Sequence, residues 1–241
     1  MKKILPFKDP FRQYFNTTYK LFCNNRVITN CIPPNESNYK GICNLISQLC
    51  PKNISKTPLN VLEIGAGNLP TLPILKLFEI SVKKYVVYEA YQGYKTLNTL
   101  LKTGKINGTL IEIKENIIEH HSKKYLKPHQ PANLVIFMGP DFYTTQLTLL
   151  QPSIEVIQTF DSYKIQKILL DQLTTALANK GYAIIGFHSP LEYTLYKTLI
   201  KTHKHIKIIK EISPESPFEF KQNNNCSGLL LQKTKSTFWI K

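Results

Sequence analysis

From residue 59 onward, apolar and polar positions alternate between two rhythms. "LNVLEI" (59–64) is a continuous apolar run, as expected of a strand buried on both faces. "LPILKLFEI" (72–80) has helical spacing, and "KKYVVYE" (83–89) reads as a second strand. "YQGYKTLNTLLKTG" (91–104) is a helix stopped by Gly104, "GTLIEIKE" (108–115) a third strand, and "NIIEHHSKKYLK" (116–127) a short helix. "ANLVIFMG" (132–139) is a fourth strand, and an amphipathic helix follows over 160–181, ending at Gly181. "YAIIGFHS" (182–189) is a fifth strand and "LEYTLYKTLIKTHKH" (191–205) a helix. "IKIIKEI" (206–212) and "SGLLLQK" (227–233) are strands with only a polar loop between them, so they should pair antiparallel at one edge. Strands alternating with helices predict an α/β fold around a mostly parallel sheet.

The first 58 residues break that rhythm. Phe7, Phe11, Tyr14, Phe15, Tyr19 and Phe22 recur at helix-like spacing, which fits a helix packed on the main domain or a wall of the substrate site. After Pro33-Pro34, Ile42, Leu45, Ile46 and Leu49 mark another helix, and Pro51 to Pro58 reads as a loop. The expected division is therefore an N-terminal helical extension or substrate cap over 1–58 and a main domain over 59–241.

At 241 residues and 42% hydrophobic composition, the chain has enough apolar material for one sizeable core. No apolar run reaches the roughly 18 residues of a membrane span, and the start lacks a signal-peptide core. Five cysteines, with no C-x-x-C pair, fit reduced thiols in a cytoplasmic protein and not a zinc site. His120-His121 and His203-x-His205 complete no metal set, so none is assigned.

The net charge of +15 is uneven. Residues 1–58 carry nine bases and two acids, residues 59–180 thirteen and ten, and residues 181–241 nine and four. Basic flanks attract a polyanion such as RNA or an acidic protein. Against nucleic-acid readout, only Arg12 and Arg26 are arginines, whereas forked contacts to bases and phosphates favour arginine. Abundant Lys, Ile and Asn also fit an AT-rich genome, which leaves a solvated basic surface as the alternative.

The chemistry concentrates at "VLEIGAGNLPTLPIL" (61–75). The first strand of an open α/β sheet leads to a ligand crevice at its carboxyl end, and Gly65 and Gly67 lie there. Pro70 replaces the third glycine of G-x-G-x-x-G, which disfavours a dinucleotide. Glu89 ends the second strand, where a carboxylate can accept both hydroxyls of a ribose. Glu115 and Asn116 end the third, placed either to meet an adenine amino group or to cap a helix. Glu63, inside an apolar strand, needs donors, from a ligand amino group or from nearby backbone amides.

The "VLEIGAG" turn, Glu89 and the final antiparallel hairpin resemble the class I S-adenosylmethionine-dependent methyltransferases over roughly residues 40–235. The resemblance implies a Rossmann-like, seven-stranded sheet with helices on both faces and S-adenosyl-L-methionine as cofactor. It implies that Glu63, Gly65, Ala66, Gly67 and Asn68 surround the methionine portion, Glu89 and Ala90 the ribose, and Glu115 or Asn116 the adenine. Met138, Gly139 and Pro140 would then face the sulfonium and the substrate. The G-x-G-x-x-P spacing also resembles nicotianamine synthase and its relatives, which transfer the aminobutyrate arm of the same cofactor, although those proteins carry a longer helical segment in front. A binding module with this fold and no catalysis is the third possibility. "MGPDFYTT" after the fourth strand is neither the N/D-P-P-Y/F of amino-methylating nucleic-acid enzymes nor a Pro-Cys site. Asp141 and Tyr143, or His188 after the fifth strand, are placed to orient or deprotonate a nucleophile; a capped turn and a loop histidine are their structural alternatives.

Overall fold

The computed structural model describes residues 36–54, 57–65, 71–89, 104–106, 108–115, 131–138, 166–167, 169–187, 190–214 and 227–234. The N-terminal aromatic segment and the helices expected over 91–103 and 116–127 lie outside them.

Helix α1 (Glu36–Leu49) precedes strand β1 (Leu59–Ile64), helix α2 (Leu72–Leu77) and strand β2 (Val82–Glu89). Then come β3 (Gly104–Ile106), β4 (Thr109–Glu115), β5 (Ala132–Met138), helical residues 169–176 (α3), β6 (Leu177–Phe187), α4 (Pro190–Thr202), β7 (Ile206–Ile212) and β8 (Ser227–Lys233). They form one sheet in the order β3-β4-β2-β1-β5-β6-β8-β7. Neighbours from β4 to β6 are parallel, whereas β8 pairs antiparallel with both β6 and β7. Seven of these strands are the expected ones, and the last strand in sequence inserts between β6 and β7. The eighth, β3, is a three-residue edge strand that turns back on β4 through Gly108 at φ 81.

Alternating side chains divide the core into two layers. Val61, Tyr85, Val87, Leu134, Ile136, Ile184 and Leu230 face α1 and α2, meeting Leu45, Ile46, Leu49, Leu72, Ile74 and Leu75. Leu62, Val86, Val135, Phe137, Ile185 and Leu231 face α3 and α4, meeting Leu170, Leu173, Tyr196 and Leu199. Strands apolar on both faces are what such a three-layer arrangement requires.

Helix α1 therefore lies on the sheet, seated over a flat patch made by two paired glycines. A Cβ on Gly186 would lie 2.8 Å from Leu45 Cδ1, and one on Gly228 would lie 2.6 Å from Leu45 Cδ2 and 2.9 Å from Leu49 Cδ1. Lys210 Nζ on β7 donates to the Gln48 carbonyl (2.8 Å), satisfying an acceptor in the last turn of α1.

The largest departure from the sequence pattern is at β6. The helix expected to run to Gly181 ends at residue 176, and Leu177 already pairs with Ala132. The pairing then jumps, with Tyr182 opposite Leu134, so residues 178–181 make an excursion that Lys180 turns at φ 62. At the outer edge, the pairing of β7 with β8 carries an irregularity between Ile208 and Lys210.

Candidate active site

The sheet brings the carboxyl ends of β1, β2, β4, β5 and β6 to one rim. Ile64 lies opposite Tyr88 on one side and Phe137 on the other. Glu89 is paired with Glu115, and Met138 with Gly186. Chain order reverses between β1 and β5, since β2 and β4 continue one way and β6 the other; ligands of open α/β sheets sit at such a switch point.

Gly65 occupies that point. Its backbone is left-handed, with φ 70, and its N–H donates to the Tyr88 carbonyl at 2.8 Å. That bond fastens the start of the turn to the end of β2, next to Glu89. No described atom lies within 4 Å of a Cβ built on Gly65. A glycine is needed here for backbone reasons, and no described residue fills the space a side chain would take.

Glu63, two residues earlier, is 1% exposed. Its carboxylate accepts the Thr71 N–H at 3.0 and 3.3 Å to its two oxygens and the Thr71 hydroxyl at 2.7 Å. It also accepts the Tyr85 phenol. Buried charge is costly unless hydrogen-bonded, and these donors meet the requirement. Of the two donor sources expected from the sequence, a nearby backbone amide is therefore present. Burial, then the Glu63 charge, raises the Tyr85 pKa well above its ordinary value, so the phenol stays a donor. Thr71 occupies the N-cap position of α2, yet its side chain makes no cap bond and turns to Glu63 instead.

Met138 is half-buried at the end of β5, against the α1 layer. Its Sδ lies 2.7 Å from where a Cβ on Gly186 would be, so that glycine makes room for it. Three strands away at the outer edge, Tyr193 of α4 donates to Glu211 of β7 (3.0 Å), and Lys197 pairs with the same carboxylate at 2.7 Å. Hydrogen bonds from Lys197 and Tyr193 lower the Glu211 pKa.

The backbone thus places Gly65, Glu89, Glu115 and Met138 along one edge, with Glu63 behind them. Ala66, Gly67, Asn68, Ala90, Asn116, Gly139 and Pro140 lie outside the described residues, as do Asp141, Tyr143 and His188. Among the described residues no group of three His, Cys, Asp or Glu side chains is placed to hold a metal ion. Sequence reasoning missed Thr71 and Tyr85. The available signal was chemical: a lone acid in an apolar strand calls for donors, and Tyr85 is a polar-tipped residue in the adjacent apolar strand.

Sheet order, switch point and glycine turn define the chain as having the class I S-adenosylmethionine-dependent methyltransferase fold, and solved structures agree. The N-methyltransferase NodS from Bradyrhizobium japonicum WM9, in complex with S-adenosyl-L-homocysteine, aligns with a TM-score of 0.53 at 14% identity, covering 90% of this chain and 98% of that one. A methyltransferase from Pyrococcus furiosus aligns with a TM-score of 0.52 at 12% identity, covering 93% of this chain and 99% of that one. No family model and no curated protein matches the sequence.

Proposed function

We propose that the chain is an S-adenosyl-L-methionine-dependent methyltransferase acting on a macromolecular or acidic partner such as RNA or protein. The observation that carries the activity is Gly65: a left-handed glycine at the switch point, its N–H bonded to the end of β2, with no described atom where its side chain would be. That geometry fits the cofactor, and the product-bound state of NodS, a protein of the same fold, supports the same choice.

When bound, the cofactor supplies an electrophilic methyl carbon. The chain's residues bind and orient it: Gly65 to Asn68 take the methionine portion, Glu89 and Ala90 the ribose, and Glu115 or Asn116 the adenine. Met138 to Pro140 would face the methyl carbon and the substrate. Asp141, Tyr143 or His188 orients the nucleophile or accepts its proton. Alignment supplies much of the rate, because an in-line displacement depends on holding both reactants at near-attack distance.

The test is product analysis after incubation with S-adenosyl-L-methionine carrying a labelled methyl group, in the presence of RNA and of acidic protein. S-Adenosylhomocysteine with label in the macromolecule is expected. Methylthioadenosine would establish aminobutyrate transfer instead, and absence of cofactor binding would overturn the assignment. For the partner, charge reversal at Lys2, Lys3, Lys8 and Arg12 should weaken macromolecule binding, reduce its salt dependence and leave cofactor affinity unchanged. A salt-insensitive reaction on a small neutral substrate would remove the partner.

A further inference from the structure

The start of β6, the end of β8 and the start of β7 meet at one corner of the sheet, at the end opposite Met138. Gln232 marks its centre. It stands opposite Tyr182 on one side and Lys207 on the other, and its Nε2 donates to the Lys180 carbonyl (3.4 Å). Lys180 and Lys207 therefore flank one residue from two strands. Lys204 joins them on the turn between α4 and β7. That turn is fixed: the His203 N–H donates to the Ile200 carbonyl (3.0 Å), the His205 N–H to His203 Nδ1 (3.2 Å), and the Thr234 N–H to the His205 carbonyl (2.9 Å). Lys180, Lys204 and Lys207 are exposed, and no acid among the described residues pairs with any of them. Asp171 is committed to His203 (3.1 Å) and Glu211 to Lys197 (2.7 Å). Three uncompensated cations on a fixed corner make a local positive potential that an anion relieves.

We infer that this corner is a docking surface for the phosphate backbone of RNA; the inference deepens the macromolecular-partner reading above and rests on it. What the corner lacks selects the partner. Protein interfaces are built around an apolar, aromatic-rich centre, whereas the exposed large apolar side chains among the described residues are Leu110, on β4 across the sheet, and Ile209, alone on β7. Nucleic-acid interfaces are polar and strongly positive, as this corner is. Lysines act as point charges, and no arginine fork stands among the described residues, so the contact holds phosphates and does not read bases. A fixed turn loses little freedom on binding. The corner lies roughly 15 Å along β6 from the rim, so docking there leaves the cofactor crevice free.

The experiment measures binding of a labelled single-stranded RNA oligonucleotide by fluorescence anisotropy as salt is varied, for wild type and two variants. Lys180→Gln/Lys207→Gln removes two cations from the corner. Lys83→Gln/Lys105→Gln removes two from β2 and β3, on the other side of the sheet, with the same change in net charge. Melting temperatures check that both fold. The corner variant should bind about tenfold more weakly at about 0.15 M salt, and its slope of log affinity against log salt should flatten by about 1.4, as two lost phosphate contacts on a single strand require. The control should bind like wild type, because salt screens charges beyond about 8 Å. S-Adenosyl-L-methionine affinity should be equal in all three. If wild type binds RNA and the two variants bind it equally, the docking surface is overturned and the partner reading stands. If the corner variant loses poly-L-glutamate binding and keeps RNA binding, the corner takes an acidic protein instead. If wild type binds no RNA, the RNA reading falls and this surface falls with it.

Discussion

Gly65 and Gly108 form a matched pair that separates the role of the turn in folding from its role in binding. Both have positive φ, 70 and 81, and at both no described atom lies within 4 Å of a built Cβ. Alanine at either position should therefore cost the same in backbone strain, about 1–2 kcal/mol. In a domain of this size each kcal/mol lowers Tm by roughly 2–4 °C, so both variants should melt about 2–8 °C below wild type. Gly65 lies at the carboxyl-end rim, however, whereas Gly108 precedes β4 at the opposite end of the sheet. A methyl group forced into a well-fitted site costs about 1–3 kcal/mol, equivalent to roughly 5- to 150-fold in affinity. Gly65→Ala should therefore lose S-adenosyl-L-methionine affinity by that factor, and Gly108→Ala should retain it. Calorimetry beside thermal melts makes the comparison. Equal affinity in the two variants would show that the Gly65 turn shapes the chain and does not meet the cofactor.

Three other outcomes are expected. Gly228→Ala should be destabilised by about 1–3 kcal/mol, because its Cβ meets Leu45, Leu49 and the Ile185 carbonyl, and Leu45→Ala in the same background should recover part of the loss; denaturant unfolding of the single and double variants measures the coupling. Glu89→Ala should weaken cofactor binding by about 1.5–3 kcal/mol per lost charge-assisted bond, and unchanged calorimetric affinity in a folded variant would remove the ribose assignment. Burial first, then Glu192, raises the Tyr196 pKa in the folded state; the resulting stability is complete below the ordinary tyrosine value of about 10 and declines as pH rises above it, because the unfolded chain then releases its proton first. Melting temperatures across that range should fall less steeply for Tyr196→Phe than for wild type, and equal slopes would contradict the assignment.

The legible parts of the fold were those whose pattern is long and self-consistent. "LNVLEI", "IKIIKEI" and "SGLLLQK" form strands over the expected residues, and the last two pair antiparallel, as expected from a sequence with no helical pattern between them. The start of β6 was hidden because Leu170, Leu173, Ala176 and Leu177 keep helical spacing across the boundary, and only long-range pairing with Ala132 ends the helix. Strand β3 was hidden because three residues carry no readable period. On the rim, the strand-end positions of Gly65, Glu89 and Glu115 were legible from the sequence pattern. The hydrogen bonds of Glu63 were not, because pairing Glu63 with Tyr85 needs the register of two parallel strands, which puts Tyr85 beside Val61 and leaves its phenol within reach of Glu63. The covering of Gly186 and Gly228 by Leu45 likewise depends on where α1 lands.

The two outer strands carry a consequence for solubility. A wide sheet of apolar strands offers a passing chain a template for addition wherever an edge exposes its backbone groups. One edge, β3, is three residues long and gives little length to copy. The other, β7, is seven residues long and displays Ile209 at 45% exposure, but Lys207 and Lys210 flank that residue and the pairing irregularity falls across it. A strand arriving there meets two cations and an interrupted ladder, which opposes addition at this edge. Replacing Lys207 and Lys210 with threonine would turn the same edge into a nucleus for aggregation, at a surface remote from the glycine turn in strand order.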